Sequence, residues 1–334
     1  MRIFLFEFVT GGGFLSIAGS PLPEGDLLAE GEAMWRAIHE DLSAIKGVEV
    51  HSTRDQRLPT VDVDHLTPVS AHAREAFLGL ALSCDFSLVI APEFDSQLLT
   101  YVSGVESFGG KLLSPNSQFI KIASNKTETA DALTAHGVPI PQGQLLEAGG
   151  RVPDDFPLPA VLKVNDGAGS MANFIDSRDT RPPPDQKGAM RIEQFVQGTA
   201  CSVSFLCRER DEPIACPPMR QILTGNQDFG YLGGERLMDL DQVQRATQLG
   251  QRALATLPRT QGYVGVDIVL GNELDGTNDY VIEVNPRLTT SYVGLREIAD
   301  TNLAKAMVDI VRGIEPDVTF SDRSVSFSAD GCLR

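Results

Sequence analysis

Three oxygen-bearing side chains fall at a spacing that suits a divalent cation. Asp267 lies in the run GVDIVL, and Glu283 and Asn285 lie two apart in VIEVNPR, with a turn at residues 271–278 between the runs. Strands at 264–270 and 280–284, folded back antiparallel, would bring Asp267 and Glu283 to one face, and residues two apart leave a strand on the same side. Magnesium takes a few protein oxygens and completes its shell with phosphate oxygens and water, so this face suits a phosphate-bound metal. The same alternation also describes a solvated polar face backed by Val266, Ile268, Ile282 and Val284. What sets it apart is that all three polar residues are oxygen donors that ordinary strands disfavour, with no Lys or Thr among them. Arg287 follows directly.

Three further segments point to phosphate and base binding. Lys163 ends the apolar run AVLKV and is followed by DGAGS, in which Gly167 and Gly169 let backbone amides approach phosphate oxygens while Ser170 adds a hydroxyl. The lysine precedes the glycines, so this is not a P-loop, and by itself the segment also fits an ordinary turn. Lys126 stands near a helix start in a chain with only 7 lysines against 21 arginines, though by itself it reads as a lone surface lysine. Glu193, Gln194, Phe195 and Val196 form a strand that breaks at Gly198; such a hinge offers backbone groups to an adenine edge, and equally fits an amphipathic strand ending in a turn. Arg220 and Gln221 are further substrate-pocket candidates. The glycines at 11–13 fit a strand-to-helix turn, or amides (those of Gly12 and Gly13) presented to substrate.

The elements that must position these residues alternate. Strands at 2–9, 48–52, 86–91 and 111–114 interleave with helices at 27–45, 71–82 and 97–108, a βαβ pattern that implies a parallel sheet. A second block opens near Asn116 with a helix at 125–136 stopped by Gly137. Strands follow at 160–164, 191–196 and 202–208, then a helix at 241–257, the strand pair already described, and a helix at 302–312. Residues 180–187, with three consecutive prolines, read as a connection, and residues 321–328 as one more strand. The expected units are 1–115, an amino-terminal α/β domain, and 116–334, with a lid at about 155–197 and a carboxy-terminal subdomain at about 198–315.

Composition narrows the function. At 334 residues the chain has room for about two domains. Its formal charge of −17 repels phosphate backbones and acidic lipid, so neither nucleic acid nor membrane is expected as a partner. No apolar run is long enough to span a bilayer. The first segment carries Glu7 and lacks the order of a signal peptide. Five cysteines without a C-x-x-C pair fit a reducing, cytoplasmic setting. A homodimer is the default oligomer and nothing in the sequence improves on it.

Taken in order, Lys126, Lys163 with its small-residue loop, the 193–196 hinge, Asp267 and Glu283-x-Asn285 resemble the ATP-grasp superfamily. The resemblance implies an α/β and α+β architecture: an ATP-grasp fold behind an amino-terminal pre-ATP-grasp domain. It also implies ATP and Mg²⁺ as cofactors. Lys126, Lys163, Gly167, Gly169 and Ser170 would meet phosphates, the 193–196 segment adenine, and Asp267, Glu283 and Asn285 magnesium, with Arg287 and Lys163 catalytic. EFVTGGG, VIAPEFD and NPRLTTSYVGL resemble, more narrowly, the ATP-grasp group that contains tyramine–glutamate ligase, of methanofuran biosynthesis. An ADP-forming carboxylate–amine ligase joining L-glutamate to tyramine or tyrosine through an acyl phosphate is therefore expected. The alternatives are a ligase of another amino-acid pair, of dipeptide type, and a non-catalytic ATP-binding module. Two positions depart from the superfamily pattern: Ala200, where a ribose-binding glutamate is common, and Asn125, where an aspartate often precedes the first lysine.

Overall fold

The computed structural model describes residues 1–17, 19–147, 150–166, 172–178, 188–225 and 229–334. Gly167, Gly169, Ser170 and the connection at 180–187 lie outside the described residues.

The amino-terminal unit is a four-stranded parallel sheet. It comprises β1 (Arg2–Glu7), α1 (Gly25–Ser43), β2 (Glu49–Asp55), β3 (Leu66–Val69), α2 (Ala73–Ser83), β4 (Phe86–Ile90) and α3 (Gln97–Ser107), with strand order β3-β2-β1-β4. β1 is apolar from Ile3 to Phe6 because both of its faces are covered. Ile3 and Leu5 pack with Trp35 and Ile38 of α1, and Phe4, Phe6 and Phe8 pack with Phe77, Tyr101 and Val102. The order reverses between β1 and β4, so a crevice opens outside their carboxyl ends, the usual ligand position in such sheets. The strand expected at 111–114 is reduced to one bridge, Ser87 to Leu112.

Helices α4 (Ser117–Ala123) and α5 (Lys126–Ala135) lead into a four-stranded antiparallel sheet. Its strands are β5 (Gly143–Leu146), β6 (Ala160–Val164), β7 (Ala172–Ile175) and β8 (Met190–Gln194), in the order β5-β8-β6-β7. Ala160, Leu162, Met190 and Ile192 fill its own small core. By alternation, Lys163, Arg191 and Glu193 emerge on the other face.

The third sheet holds β9 (Thr199–Cys207), β10 (Ile214–Ala215), β11 (Met219–Leu223), β12 (Tyr231–Arg236), β13 (Gly262–Leu270), β14 (Tyr280–Asn285) and β15 (Ser326–Ser328). The order is β14-β13-β9-β11-β12-β15, with β10 added to β9. One face packs on α6 (Leu240–Ala255) through Val203, Phe205, Ala246 and Leu249. The opposite face, with α7 (Ser291–Ile298) and α8 (Leu303–Val311), shares one core with the amino-terminal sheet: Ile3, Leu5 and Trp35 belong with Tyr263, Tyr292, Leu303 and Phe327. Asp41 of α1 locks this junction, accepting from Tyr292 Oη at 2.6 Å and Arg296 Nη2 at 2.7 Å.

Candidate active site

Glu283 and Asp267 face each other across the β13–β14 pair, and Gly265 opposes Asn285. A bulge falls beside them, since Asp267 pairs with Glu283 but Ile268 pairs with Val281. Ile282 is the extra residue. It is half-buried, and Val281 takes the core position that plain alternation gave to Ile282. Asn285 donates Nδ2 to Asp267 Oδ2 at 3.0 Å, which leaves Oδ1 as its acceptor. Gln221 donates to Asp267 Oδ1 at 3.1 Å, and the Ser202 hydroxyl also bonds Asp267. Burial first, then the charge of Glu283, pushes the Asp267 carboxyl up to about 6.

The cations come from other elements. Asn125 caps α5, its side chain accepting from the amides of Thr127 and Glu128. Asn caps as well as Asp does, which accounts for that departure from the superfamily pattern. The cap fixes Lys126 at the first helical position, where it is buried and donates Nζ to Glu283 Oε1 at 2.7 Å. Burial opposes its charge, but Glu283, with Glu93 and Glu193 beyond, outweighs burial and raises it. On the antiparallel sheet Lys163 donates to Glu193 Oε2 at 2.7 Å, and Arg191 to Oε1 at 2.8 Å. Burial alone would raise the Glu193 carboxyl; Lys163 and Arg191 reverse that and hold it below its ordinary value. Asn165, just past β6, ties Lys163's strand to α5 by accepting from Thr127 Oγ1 at 2.6 Å. A shallow, open cleft lies here, lined by Lys126, Glu193, Ile282 and Glu283.

Arg287, past β14, donates Nε to Glu93 Oε1 at 3.0 Å, across from the end of β4. The site therefore runs continuously from Lys163 through Glu193, Lys126, Glu283 and Arg287 to Glu93. Sequence reasoning passed over Glu93, Arg191 and Asn165. A carboxylate or cation opposite a fixed charge is visible only once both strands are in register.

Several expected residues sit differently. Arg220 is in register with Cys201, on the face away from Asp267, and pairs with Glu235 at 2.6 Å on the surface; its neighbour Gln221 takes the site face instead. The 191–196 strand stops at Gln194. The Gln194 amide goes to Gln142 O and the Phe195 amide to Pro159 O, so neither can read a base edge. Val196 N–H and the strand-end carbonyls are the remaining candidates. Gly198 serves close approach: an added Cβ would lie 2.2 Å from Leu270 O. Gly13 N–H closes the turn onto Phe8 O, and Gly12 has φ +91, so these glycines build the bend after β1. Ser202 is engaged by Asp267 and does not replace the glutamate absent at Ala200.

Among the described residues no three His, Cys, Asp or Glu side chains form a metal-binding group. Asp267 and Glu283 need the Asn285 oxygen as third donor. The set nevertheless fits a hard cation, because two close carboxylates, one of them forced toward protonation, gain from a positive charge between them.

Comparison with known proteins agrees with this layout. Residues 123–291 match the ATP-grasp domain model and residues 48–120 the pre-ATP-grasp 3 domain model. The tyramine–L-glutamate ligase of Methanocaldococcus jannaschii is 25% identical over 335 residues, covering 98% of this chain and 94% of the relative. A solved structure from Archaeoglobus fulgidus, described as an ATP-grasp superfamily protein, superposes with a TM-score of 0.73 at 24% identity, covering 98% of this chain and 92% of that one. Carboxyaminoimidazole ribonucleotide synthase from Aspergillus clavatus, solved with ATP, gives a TM-score of 0.70 at 17% identity, covering 97% and 80%.

Proposed function

The chain belongs to the ATP-grasp family, and from that premise we propose that it is an ADP-forming carboxylate–amine ligase acting on L-glutamate and tyramine or tyrosine, in the making of a methanofuran-type cofactor. The observation that carries the ligase reading is the set of three ion pairs, Lys163–Glu193, Lys126–Glu283 and Arg287–Glu93. It supplies cations for phosphates at one end, a carboxylate face for metal in the middle, and an arginine for an acyl group at the other. In this reading residues 1–115 shape the substrate side, residues 116–334 form the grasp, and the antiparallel sheet is the lid.

A carboxylate resists attack by an amine because its leaving group would be oxide. Transfer of the γ-phosphoryl group of ATP makes an acyl phosphate, whose leaving group is phosphate. Lys126 and Lys163 exchange their glutamate partners for phosphate oxygens and neutralise charge that grows on them. Magnesium, held by Asp267, Glu283 and Asn285, would supply Lewis-acid neutralisation of the same phosphates. Arg287 holds the carboxylate oxygen and later the charge of the tetrahedral intermediate. The lid keeps water from the acyl phosphate. An ammonium-bearing aromatic substrate is supported by the crevice between β1 and β4. There Phe14 and Phe94, both half-buried, stack at 6.4 Å beside Phe8.

The test is ADP release with Mg-ATP and L-glutamate, alone, with tyramine, and with tyrosine. Amine-dependent ADP and a glutamyl amide in the mass spectrum are expected. ADP with other acceptors only would keep the ligase and discard these substrates, whereas nucleotide binding without turnover on any pair would favour a binding module.

A further inference from the structure

The crevice holds one buried carboxylate that the phosphate chemistry leaves unused. Glu93 is 3% exposed at the carboxyl end of β4. Its Oε1 accepts from Arg287 Nε at 3.0 Å, while Oε2 is buried with no hydrogen-bond partner among the described residues. An unmet buried carboxylate oxygen is costly, so this one calls for a partner. The charge of Glu93 is felt by both Arg287 and Lys126, which places it at the edge of the reaction centre and not in a separate core. A ligand meeting Oε2 must bring a hydrogen-bond donor and, beside a paired carboxylate, preferably a positive charge. The amine substrate, an ammonium in water, brings both.

We propose that Glu93 receives the ammonium group of the amine substrate on Oε2 and takes its proton; this deepens the ligase reading and rests on it. Arg287 binds the other oxygen of the same carboxylate, so one ion pair sets the nitrogen against the acyl carbon that Arg287 holds. The ammonium passes one proton to Oε2 and exposes its lone pair. The nitrogen–carbon bond forms, and the bond from carbon to the phosphate oxygen breaks with its electron pair on phosphate. The second nitrogen proton leaves with phosphate, and Glu93 returns its proton to water.

The experiment compares two nucleophiles in Glu93→Gln and Glu93→Asp. Hydroxylamine, uncharged at neutral pH, intercepts the acyl phosphate as a hydroxamate without needing an ammonium receptor. The expected result is that Glu93→Gln lowers kcat/KM for tyramine by about 100-fold or more, keeps hydroxamate formation within about threefold, and moves tyramine turnover to higher pH where free amine is present. Glu93→Asp should recover part of the loss. Retained hydroxamate formation shows that the variant is folded. Unchanged tyramine kinetics overturn the proposal. Equal loss of amide and hydroxamate also overturns it, because Glu93 would then act only by holding Arg287. Wild-type protein that forms neither product overturns the ligase reading itself, and the assignment of Glu93 with it.

Discussion

At Asp267 burial and the neighbouring Glu283 charge both favour the protonated form, against hydrogen bonds from Asn285 and Ser202 that favour the charged one. Its carboxyl sits at about 6 in the fold, above the ordinary aspartate value of 3.8. The fold therefore holds this proton more tightly than the unfolded chain does. The resulting stability is fully present below about 3.8 and is lost as pH rises through about 6. The melting temperature of wild type minus that of Asp267→Asn, without nucleotide or metal, should fall as pH rises across that window. A difference flat in pH would show that Asp267 is not perturbed. In the proposed ligase turnover runs the other way, weakening toward acid pH as the carboxylate proposed to hold metal takes up a proton. Glu283→Gln removes the charge of a proposed metal ligand and the partner of Lys126 together. It should cut kcat by about 100-fold or more, read as ADP release at saturating substrates.

The elements are held by short contacts that tolerate little change. Gly198 separates the lid strand from β9 against the Leu270 carbonyl, and its role is closeness of backbone, since a Cβ would sit 2.2 Å from that oxygen. Gly198→Ala should destabilise the protein by about 1–3 kcal/mol, visible in a denaturant midpoint. Asp41 joins α1 to α7 through Tyr292 and Arg296, and its backbone oxygen accepts from Asn302 at the start of α8. Asp41→Ala leaves the buried Tyr292 hydroxyl without its acceptor and Arg296 with Glu40 and Glu297 only, at a cost of about 1–3 kcal/mol. The melting temperature should drop several degrees. Three helix starts were legible with a cap behind them, since Asn125, Asp239 and Asn302 accept from first-turn amides, whereas α4, capped by Asn116, and the uncapped α7 were not read. β12 was not legible, since its adjacent Gly233 and Gly234 read as a turn. They form a strand because the chain passes close to Phe327 of β15, a contact far away in sequence.

On the scale of the whole molecule the site spans all three sheets, and substrate must reach it with the paired charges released. Lys126 and Lys163 each hold a glutamate that phosphate would displace. A non-hydrolysable ATP analogue with magnesium, at about 100 times its Kd, should stabilise the protein by about 2.7 kcal/mol. Lys163→Ala should remove most of that thermal shift while leaving the free protein folded. An unchanged shift would place the phosphates elsewhere.

The amino-acid sequence by itself determined the βαβ order of the first unit apart from β3, the helices capped by Asn125, Asp239 and Asn302, and the alternation that puts Asp267, Glu283 and Asn285 on strand faces. These depend on neighbours a few residues away, where backbone geometry alone sets direction. Tertiary structure decided the partners. Glu93 meets Arg287, Arg191 joins Lys163 on Glu193, Gln221 takes the site in place of Arg220, and Ile282 bulges out of its expected core position. Register and sheet packing join residues far apart in the chain, and a one-residue shift in register turns a side chain from one face of a sheet to the other.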